Sequence, residues 1–267
     1  MQRLFLLVNK NFKKIQKKYH FISKKGLVFS FDLIIIRCNT ANKQERKMII
    51  AIDGSAAAGK GTLAQKLVKQ LGYAYLDTGA LYRSVGLKLY EQKLDPTDVK
   101  AAQTAALDLK ADEMLHLQTN PAIRTEEIGA YASKVSAIPE VRQALFDFQR
   151  RFAFHPVNTD GTPAPGAVLD GRDIGTVVCP EAEIKLFLKA SPEVRALRRL
   201  KELQAKGICA IYDTILSDIK ERDERDSKRA VAPLKPASDA LVLDTSEMSP
   251  DDVFAAVIDF IKGKGLI

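Results

Sequence analysis

The sequence has few residues of the kinds that build metal sites and covalent cross-links. Its three cysteines, Cys38, Cys179 and Cys209, form no C-x-x-C pair, so neither a zinc site nor a disulfide framework is expected. Its three histidines are scattered along the chain, and this spacing disfavours a histidine-based metal centre. A low and unpaired cysteine content fits a reducing compartment, and we expect the protein in the cytoplasm.

Long hydrophobic runs are also missing. The longest run, residues 27–36, is interrupted by Asp32 and is too short to span a bilayer. No small-residue cleavage site follows it, so a secretory signal is not indicated. We therefore expect a protein that functions without a membrane.

The net charge of +8 is distributed unevenly. Residues 1–47 hold 12 Lys and Arg against 2 Asp and Glu, whereas the other 220 residues hold 29 against 31. The basic character therefore belongs to an N-terminal extension, and the nearly neutral body can still hold a local cationic site. Because Met48 opens a strand-like run, residues 1–47 are interpreted as translated upstream sequence or as a disordered basic tail with some nucleic-acid or membrane-surface affinity.

Short apolar runs alternate with helical patterns along the body, and this alternation predicts a parallel α/β sheet. The predicted strands lie at residues 48–53, 73–76, 167–169, 184–188 and 240–243. Residues 95–165 break the alternation with polar helical stretches, a strand candidate at 114–118 and a loop at 156–166. We expect this region to be an inserted substrate-binding subdomain.

A phosphate-binding loop pattern lies between the first predicted strand and a leucine-periodic helix. Its glycines let backbone N–H groups converge on phosphate oxygens, and the helix N-terminus adds a partial positive charge. The lysine can reach the β- and γ-phosphates, so ATP is the expected cofactor. The expected ATP-binding residues are Gly54, Ser55, Ala56, Ala57, Ala58, Gly59, Lys60, Gly61 and Thr62.

The pattern after this loop favours a kinase over other nucleotide-binding proteins. A GTPase requires a base-reading N-K-x-D motif downstream, but the only Asn-Lys stretch near that form, residues 42–45, precedes the loop. Clusters of arginine and aspartate follow instead, and guanidinium groups suit an anionic acceptor.

Six segments stand in an order that resembles the bacterial cytidylate kinases, a family of P-loop nucleoside monophosphate kinases. Besides the loop itself they are 76–83 (LDTGALYR), 123–128 (IRTEEI), 141–142 (VR), 170–178 (DGRDIGTVV) and 220–234, which holds KERDERD at 220–226 and RAVAPL at 229–234. The segments at 170–178 and 229–234 discriminate better than the loop does. The resemblance covers about residues 48–262.

This resemblance implies an α/β P-loop NTPase fold, a parallel five-stranded sheet flanked by helices. The kinase domain would span 48–262, with its core at 48–94 and 167–262, an inserted NMP-binding subdomain at 95–166 and a helical lid at about 192–232. The implied reaction is transfer of the γ-phosphoryl group of ATP to CMP or dCMP with Mg²⁺. We expect a monomer that requires no nucleic acid.

The resemblance also assigns residues to the substrate. The base readers would be Arg142, Asp173 and Ser133, and the ribose readers Arg222 and Asp226. The acceptor phosphate would lie among Thr78, Arg83, Arg172 and Arg229.

Catalysis would consist of positioning and charge neutralisation, because the acceptor oxygen is already anionic. Lys60, Arg172 and Arg229 would neutralise the transferred group, and Thr62 would lie nearest the metal, mostly through water. One further arginine could assist from the lid, and the sequence does not choose among Arg195, Arg198, Arg199 and Arg225.

One departure from the family and two alternatives remain at this point. Residues 55–57 read S-A-A where the family usually has P-S-G, and alanine lacks the freedom of glycine at positive φ, so we expect a slightly reshaped loop. The first alternative is an adenylate- or uridylate-type kinase, which Asp173 disfavours because its carboxylate suits an amine-bearing pyrimidine. The second is a non-catalytic nucleotide-binding protein, or a nucleic-acid binder that uses the basic tail.

Overall fold

The computed structural model describes the backbone of residues 47–267 and the side chains of all of these except 111–113. The prediction for the basic extension falls on residues 1–47 and so lies outside the described part, apart from Lys47. The strands are β1 (Met48–Gly54), β2 (Ala74–Asp77), β3 (Gly166–Gly171), β4 (Ile184–Lys189) and β5 (Leu241–Asp244). The helices are α1 (Lys60–Leu71), α2 (Thr78–Glu91), α3 (Val99–Leu107), α4 (Ala111–Leu117), α5 (Glu126–Val135), α6 (Pro139–Phe154), α7 (Pro192–Ala205), α8 (Tyr212–Lys228) and α9 (Pro250–Gly263).

The five strands form one sheet in the order β2-β3-β1-β4-β5, and every neighbouring pair is parallel. This confirms the predicted parallel α/β sheet and its five strands. The strand β1 is central and lies between β3 and β4. All seven of its residues are buried, as expected for a strand covered on both faces.

Helices cover both faces of the sheet and create two hydrophobic cores. Successive side chains of β1 point to opposite faces, so Ile49 and Ala51 join one core while Ile50 and Ile52 join the other. The first core includes side chains of α2, α3, α5 and α6, and the second includes side chains of α1 and α9. The sheet is thereby fixed, and its carboxyl edge is left for the connecting loops.

The region between α2 and β3 is helical, and the strand predicted at residues 114–118 is wrong. These residues lie in α4 and at its C-cap. Met114 and Leu115 pack against the first core, and Gln118 accepts from the Asp77 N–H at 3.1 Å. Residues 114, 115 and 118 lie on one face of a helix, so their contacts with the rest of the protein fit a helix. The short alternation of apolar and polar residues in this segment resembled a strand.

Helices α7 and α8 form a hairpin with its own small core of Ala196, Leu203, Ile215 and Ile219. Ser191 caps α7 by accepting from the Val194 N–H, and Pro192 occupies the first helical turn. None of the helices between residues 47 and 267 has the length and hydrophobicity that crossing a bilayer requires.

Candidate active site

The site lies at the carboxyl ends of the central strands. The chain leaves β1 between β3 and β4, where the order of connections reverses, and ligands of open α/β sheets bind at such a point. The loop of residues 54–62 therefore begins where the fold leaves a crevice.

The loop needs glycine at its start. Gly54 has φ of 146°, and a Cβ added there would lie 2.0 Å from the Leu188 carbonyl oxygen of the adjacent strand. Gly59, which precedes α1, also has a positive φ, of 96°, although a Cβ added there would meet no atom within 4 Å. Ala57 adopts a left-handed φ of 57° despite its Cβ, at a cost of about 1–2 kcal/mol. A glycine-like conformation is therefore present at Ala57.

The side chain of Lys60 is buried and points into the loop, with Nζ donating to the Ser55 carbonyl at 2.9 Å. Burial lowers the pKa of Lys60, and the neighbouring Arg172 lowers it further. Arg222 contributes in the same direction. Lys60 therefore shares one electrostatic environment with Arg172 of the predicted phosphate site and Arg222 of the predicted ribose site.

A carboxylate at the end of β3 faces the start of α1. Burial raises the pKa of Asp170, and Asp77 at the end of the neighbouring strand adds to the effect. Tyr75 donates to Asp170 Oδ2 at 3.0 Å, and a Cβ added at Gly61 would lie 3.7 Å from that oxygen. Thr62 is exposed at the next helix position.

Within the described part of the chain, no group of three or more His, Cys, Asp or Glu could hold a metal ion alone. A divalent ion here would need phosphate oxygens as further ligands, and Mg²⁺ commonly binds in this way through one or two carboxylates. The side chains present fit such an ion, because Asp170 offers a carboxylate beside the loop.

A pocket beside the loop brings together most of the residues predicted to bind the substrate. Its lining comprises Thr78, Gly79, Tyr82, Ala132, Ser136, Arg142, Gly171, Arg172, Asp173, Arg222, Asp226 and Arg229. The four arginines outnumber the two aspartates, so the pocket suits an anion.

Two of these arginines are paired with carboxylates. Arg142 donates to Asp173 and to the Ser136 carbonyl, and its guanidinium lies 5.6 Å from the Tyr82 ring centroid. Arg172 Nε donates to Asp226 Oδ2 at 2.9 Å. Burial alone would raise the pKa of Asp226, but Arg172 and other arginines lower it below its usual value.

The other two arginines have nitrogens to spare. Arg222 Nε and Arg229 Nη2 are buried and have no hydrogen-bond partner within the described chain. Burial lowers the pKa of Arg222 to about 10, with Arg172 as the next cause, and burial followed by Arg142 lowers the pKa of Arg229. Unpaired buried donors are costly, and a bound ligand that offers them anionic or hydroxyl oxygens would remove that cost.

The family described as cytidylate kinase matches residues 50–263. The chain belongs to the cytidylate kinase family. It is therefore a kinase, and the prediction of that family is confirmed.

Curated relatives agree with this match over nearly their full length. A protein named cytidylate kinase from Paramagnetospirillum magneticum is 58% identical over 216 residues, covering 81% of this chain and 98% of the relative. One of the same name from Rhodospirillum rubrum is 54% identical, with coverages of 81% and 98%. A third from Bradyrhizobium diazoefficiens is 49% identical, with coverages of 80% and 96%.

Three residues that were predicted to bind the substrate form hydrogen bonds to other groups of the protein. Thr78 lines the pocket, but its hydroxyl donates to the Asp170 carbonyl at 2.7 Å. Arg83 donates to the carbonyls of Ile123 at 2.9 Å and Thr125 at 3.3 Å. Ser133 is buried and accepts from Arg225 Nη1 at 2.6 Å. Neither Arg83 nor Ser133 is among the residues that line the pocket.

The four candidate lid arginines have different partners, and the structure separates them. Arg199 contacts Glu126 at the start of α5, and Arg225 contacts Ser133 in the same helix. Arg198 donates to Thr245 after β5. Arg195 reaches the phosphate loop itself. Short-range sequence patterns could not distinguish them because each of these four contacts joins residues that are distant in the chain.

Sequence reasoning missed several side chains of the site. Tyr82 and Ser136 line the pocket, and Asp170 faces the loop. Asp53, just before the loop, accepts at 2.7 Å from the N–H groups of both Ile174 and Gly175. Its position at the carboxyl end of a buried strand was the available signal, since a buried carboxylate needs partners.

Proposed function

We propose that the loop of residues 54–62 binds ATP and that the adjacent arginine pocket binds CMP or dCMP as phosphoryl acceptor. The reaction transfers the γ-phosphoryl group of ATP and yields ADP and the nucleoside diphosphate. The observation that carries this proposal is the pair of unpartnered buried nitrogens, Arg222 Nε and Arg229 Nη2, in the pocket whose arginines also act on Lys60.

The acceptor orientation follows from the charges of the pocket. Arg172 binds the acceptor phosphate from the side of Lys60, so that the acceptor oxygen faces the γ-phosphorus, and Arg229 binds the same phosphate from the side of Arg142. Arg222 and Asp226 on α8 bind the ribose hydroxyls, for which a carboxylate is a suitable acceptor. Arg83 assists from the edge of this group, since it is close enough to Arg222 to lower the pKa of Arg222.

Arg142 and Asp173 read the base at the other end of the pocket. Asp173 accepts a hydrogen bond from the 4-amine of cytosine, and Arg142 donates to the ring acceptors. Uracil has a carbonyl in place of the amine, so it would set two acceptors against each other. Ser133 supports this end through its bond to Arg225, which spans from α8 to α5.

The chain's own residues supply binding, orientation and exclusion of water. Lys60, Arg172 and Arg229 neutralise charge on the transferred group, and no general base is needed. Mg²⁺, when bound, supplies further charge neutralisation; Asp170 faces its expected position, and Thr62 is the second candidate. Residues 95–166 act as the NMP-binding insert, and the α7–α8 hairpin within 192–232 acts as the lid.

A coupled assay of ADP release with CMP, dCMP, UMP and AMP as acceptors tests this function. We expect turnover with CMP and dCMP and a far lower kcat/KM with UMP and AMP. Equal or greater turnover with AMP or UMP would contradict the assignment of the base site. Titration of ATP against Lys60→Ala, with loss of binding expected, tests the donor loop separately.

A further inference from the structure

Arg195 is a charged residue buried almost completely in the protein. Only 2% of its surface is exposed, which is unusual for a guanidinium group. Its Nε donates to the Ala190 carbonyl at 2.9 Å, and its Nη1 donates to the Ala56 carbonyl at 3.3 Å. Both terminal nitrogens also bind the two oxygens of Asp223, with Nη1 and Oδ1 3.1 Å apart. One side chain thus joins the start of α7, the phosphate loop and the lid helix α8.

The contact with Ala56 matters because it fixes the direction of a peptide group in the loop. A trans peptide is planar, and its C=O and N–H point to opposite sides. A carbonyl held by Arg195 therefore directs the following N–H, that of Ala57, away from Arg195. N–H groups held in this way are ready to bind phosphate oxygens without reorganisation.

Two other carbonyls of the loop are held in the same manner. The Ser55 carbonyl accepts from Lys60 at 2.9 Å, and the Ala58 carbonyl accepts from the Thr245 hydroxyl at 3.1 Å. Among these three donors, only Arg195 continues into a contact with α8. It is therefore the donor through which the loop and the lid helix are connected directly.

Asp223 lies on α8 close to two residues that line the acceptor pocket. Arg222 precedes Asp223, and Asp226 follows it by one helical turn; both line the acceptor pocket. Arg195 thus holds Asp223 on one side of α8 while Arg222 and Asp226 face the pocket. A bidentate arginine–carboxylate pair is geometrically demanding, so it restricts the rotation and position of the helix.

We propose that Arg195 is a positioning residue that aligns the ATP loop with the acceptor-binding residues of α8, through Ala56 on one side and Asp223 on the other. This inference rests on the proposed function, because it takes the loop as the donor site and the pocket as the acceptor site. It assigns Arg195 no contact with the reacting atoms.

Two variants separate the two sides of this connection. Arg195→Lys keeps a positive charge but loses the planar fork, so it should weaken both contacts. We expect its kcat/KM for CMP to fall on the order of 100-fold, as misplacement of a bound substrate does, and its Kd for ATP to rise. Asp223→Asn leaves the Ala56 contact in place, so we expect the KM for CMP to rise while the Kd for ATP stays at the wild-type value.

A matched control and a double variant complete the design. Arg150→Lys alters another arginine that binds a carboxylate, Glu181, and a backbone carbonyl, and it should leave both constants unchanged. The double variant of Arg195 and Asp223 should lose no more activity toward CMP than Arg195→Lys alone, because both changes break the same connection.

The inference is overturned if Arg195→Lys lowers the melting temperature but keeps the wild-type Kd for ATP and kcat/KM for CMP. It is also overturned if Asp223→Asn leaves the KM for CMP unchanged, and this variant decides the matter alone should Arg195→Lys fail to fold. Wild-type protein assayed in parallel distinguishes a failure of the proposed function from a failure of the positioning role of Arg195. If the wild-type protein releases no ADP with CMP, the proposed function is refuted. If the wild type is active and both variants keep its constants, only the positioning role is refuted.

Discussion

Replacing Asp173 by asparagine tests how the pocket distinguishes cytosine from uracil. The change keeps the size of the side chain but removes its charge and one of its two acceptor oxygens. An asparagine amide can donate to the carbonyl that uracil carries in place of the cytosine amine. We therefore expect kcat/KM to fall for CMP and to hold or rise for UMP.

The size of the effect follows from the burial of the pair. The side chains of Arg142 and Asp173 are only 10% and 7% exposed, so water cannot replace a lost contact. A hydrogen bond to a charged group is worth about 1.5–3 kcal/mol. At about 1.4 kcal/mol per factor of ten, the CMP/UMP ratio of kcat/KM should fall roughly 10- to 100-fold. Loss of the Arg142 partner also costs about 3–5 kcal/mol of stability.

The assay measures ADP release with CMP and UMP, below the melting temperature of the variant. Asp239→Asn is the control, since it removes the carboxylate that pairs with Lys185 at 2.8 Å outside the pocket, and it should keep the wild-type ratio. A wild-type CMP/UMP ratio in a folded Asp173→Asn variant would show that Asp173 does not read the base. Asp173 would then serve only to hold Arg142.

Two further predictions concern the end of β1. Gly54→Ala places a Cβ against the Leu188 carbonyl and should abolish ATP binding in calorimetry, whereas Gly72→Ala, with φ of 68° and nothing within 4 Å, should cost only about 1–2 kcal/mol and keep ATP affinity. ATP binding by Gly54→Ala at wild-type affinity would contradict the loop geometry. Burial raises the pKa of Asp53 from 3.8 to about 6, so its contribution to folding stability is present at low pH and lost as pH rises through about 6. Denaturant unfolding should show wild-type stability falling relative to Asp53→Asn by up to about 3 kcal/mol between about pH 4 and 6, and a pH-independent difference would refute this.

The sheet was predictable because its strands are short, apolar and bounded by glycine or polar residues. The loop at 54–62 was also predictable, because its glycines and its lysine lie close together in the sequence. Predicted and observed ends of the strands differ by at most two residues. The strand prediction at 114–118 was wrong because a pattern of only five residues fits both a strand and a helix. The contact of Gln118 with Asp77, which lies far away in the sequence, is not visible in such a pattern.

The contacts that complete the site were beyond sequence patterns for a different reason. Arg195 and Asp223 are separated by 28 residues, and Asp53 and Gly175 by 122. The sequence shows that α8 is rich in charge, but not which of its carboxylates faces the pocket and which faces α7. Only the packing of the α7–α8 hairpin beside the phosphate loop determines that choice.

In the proposed reaction, the ATP loop and the arginine-lined acceptor pocket act on one transferred phosphoryl group. Arg172→Ala tests it most directly, because Arg172 lies beside both Lys60 and Asp226. The variant should lose on the order of 100- to 1000-fold in kcat with CMP, as removal of one charge-stabilising donor does elsewhere, while calorimetry shows ATP affinity unchanged. Turnover near the wild-type rate would mean that Arg172 does not act on the transferred phosphoryl group.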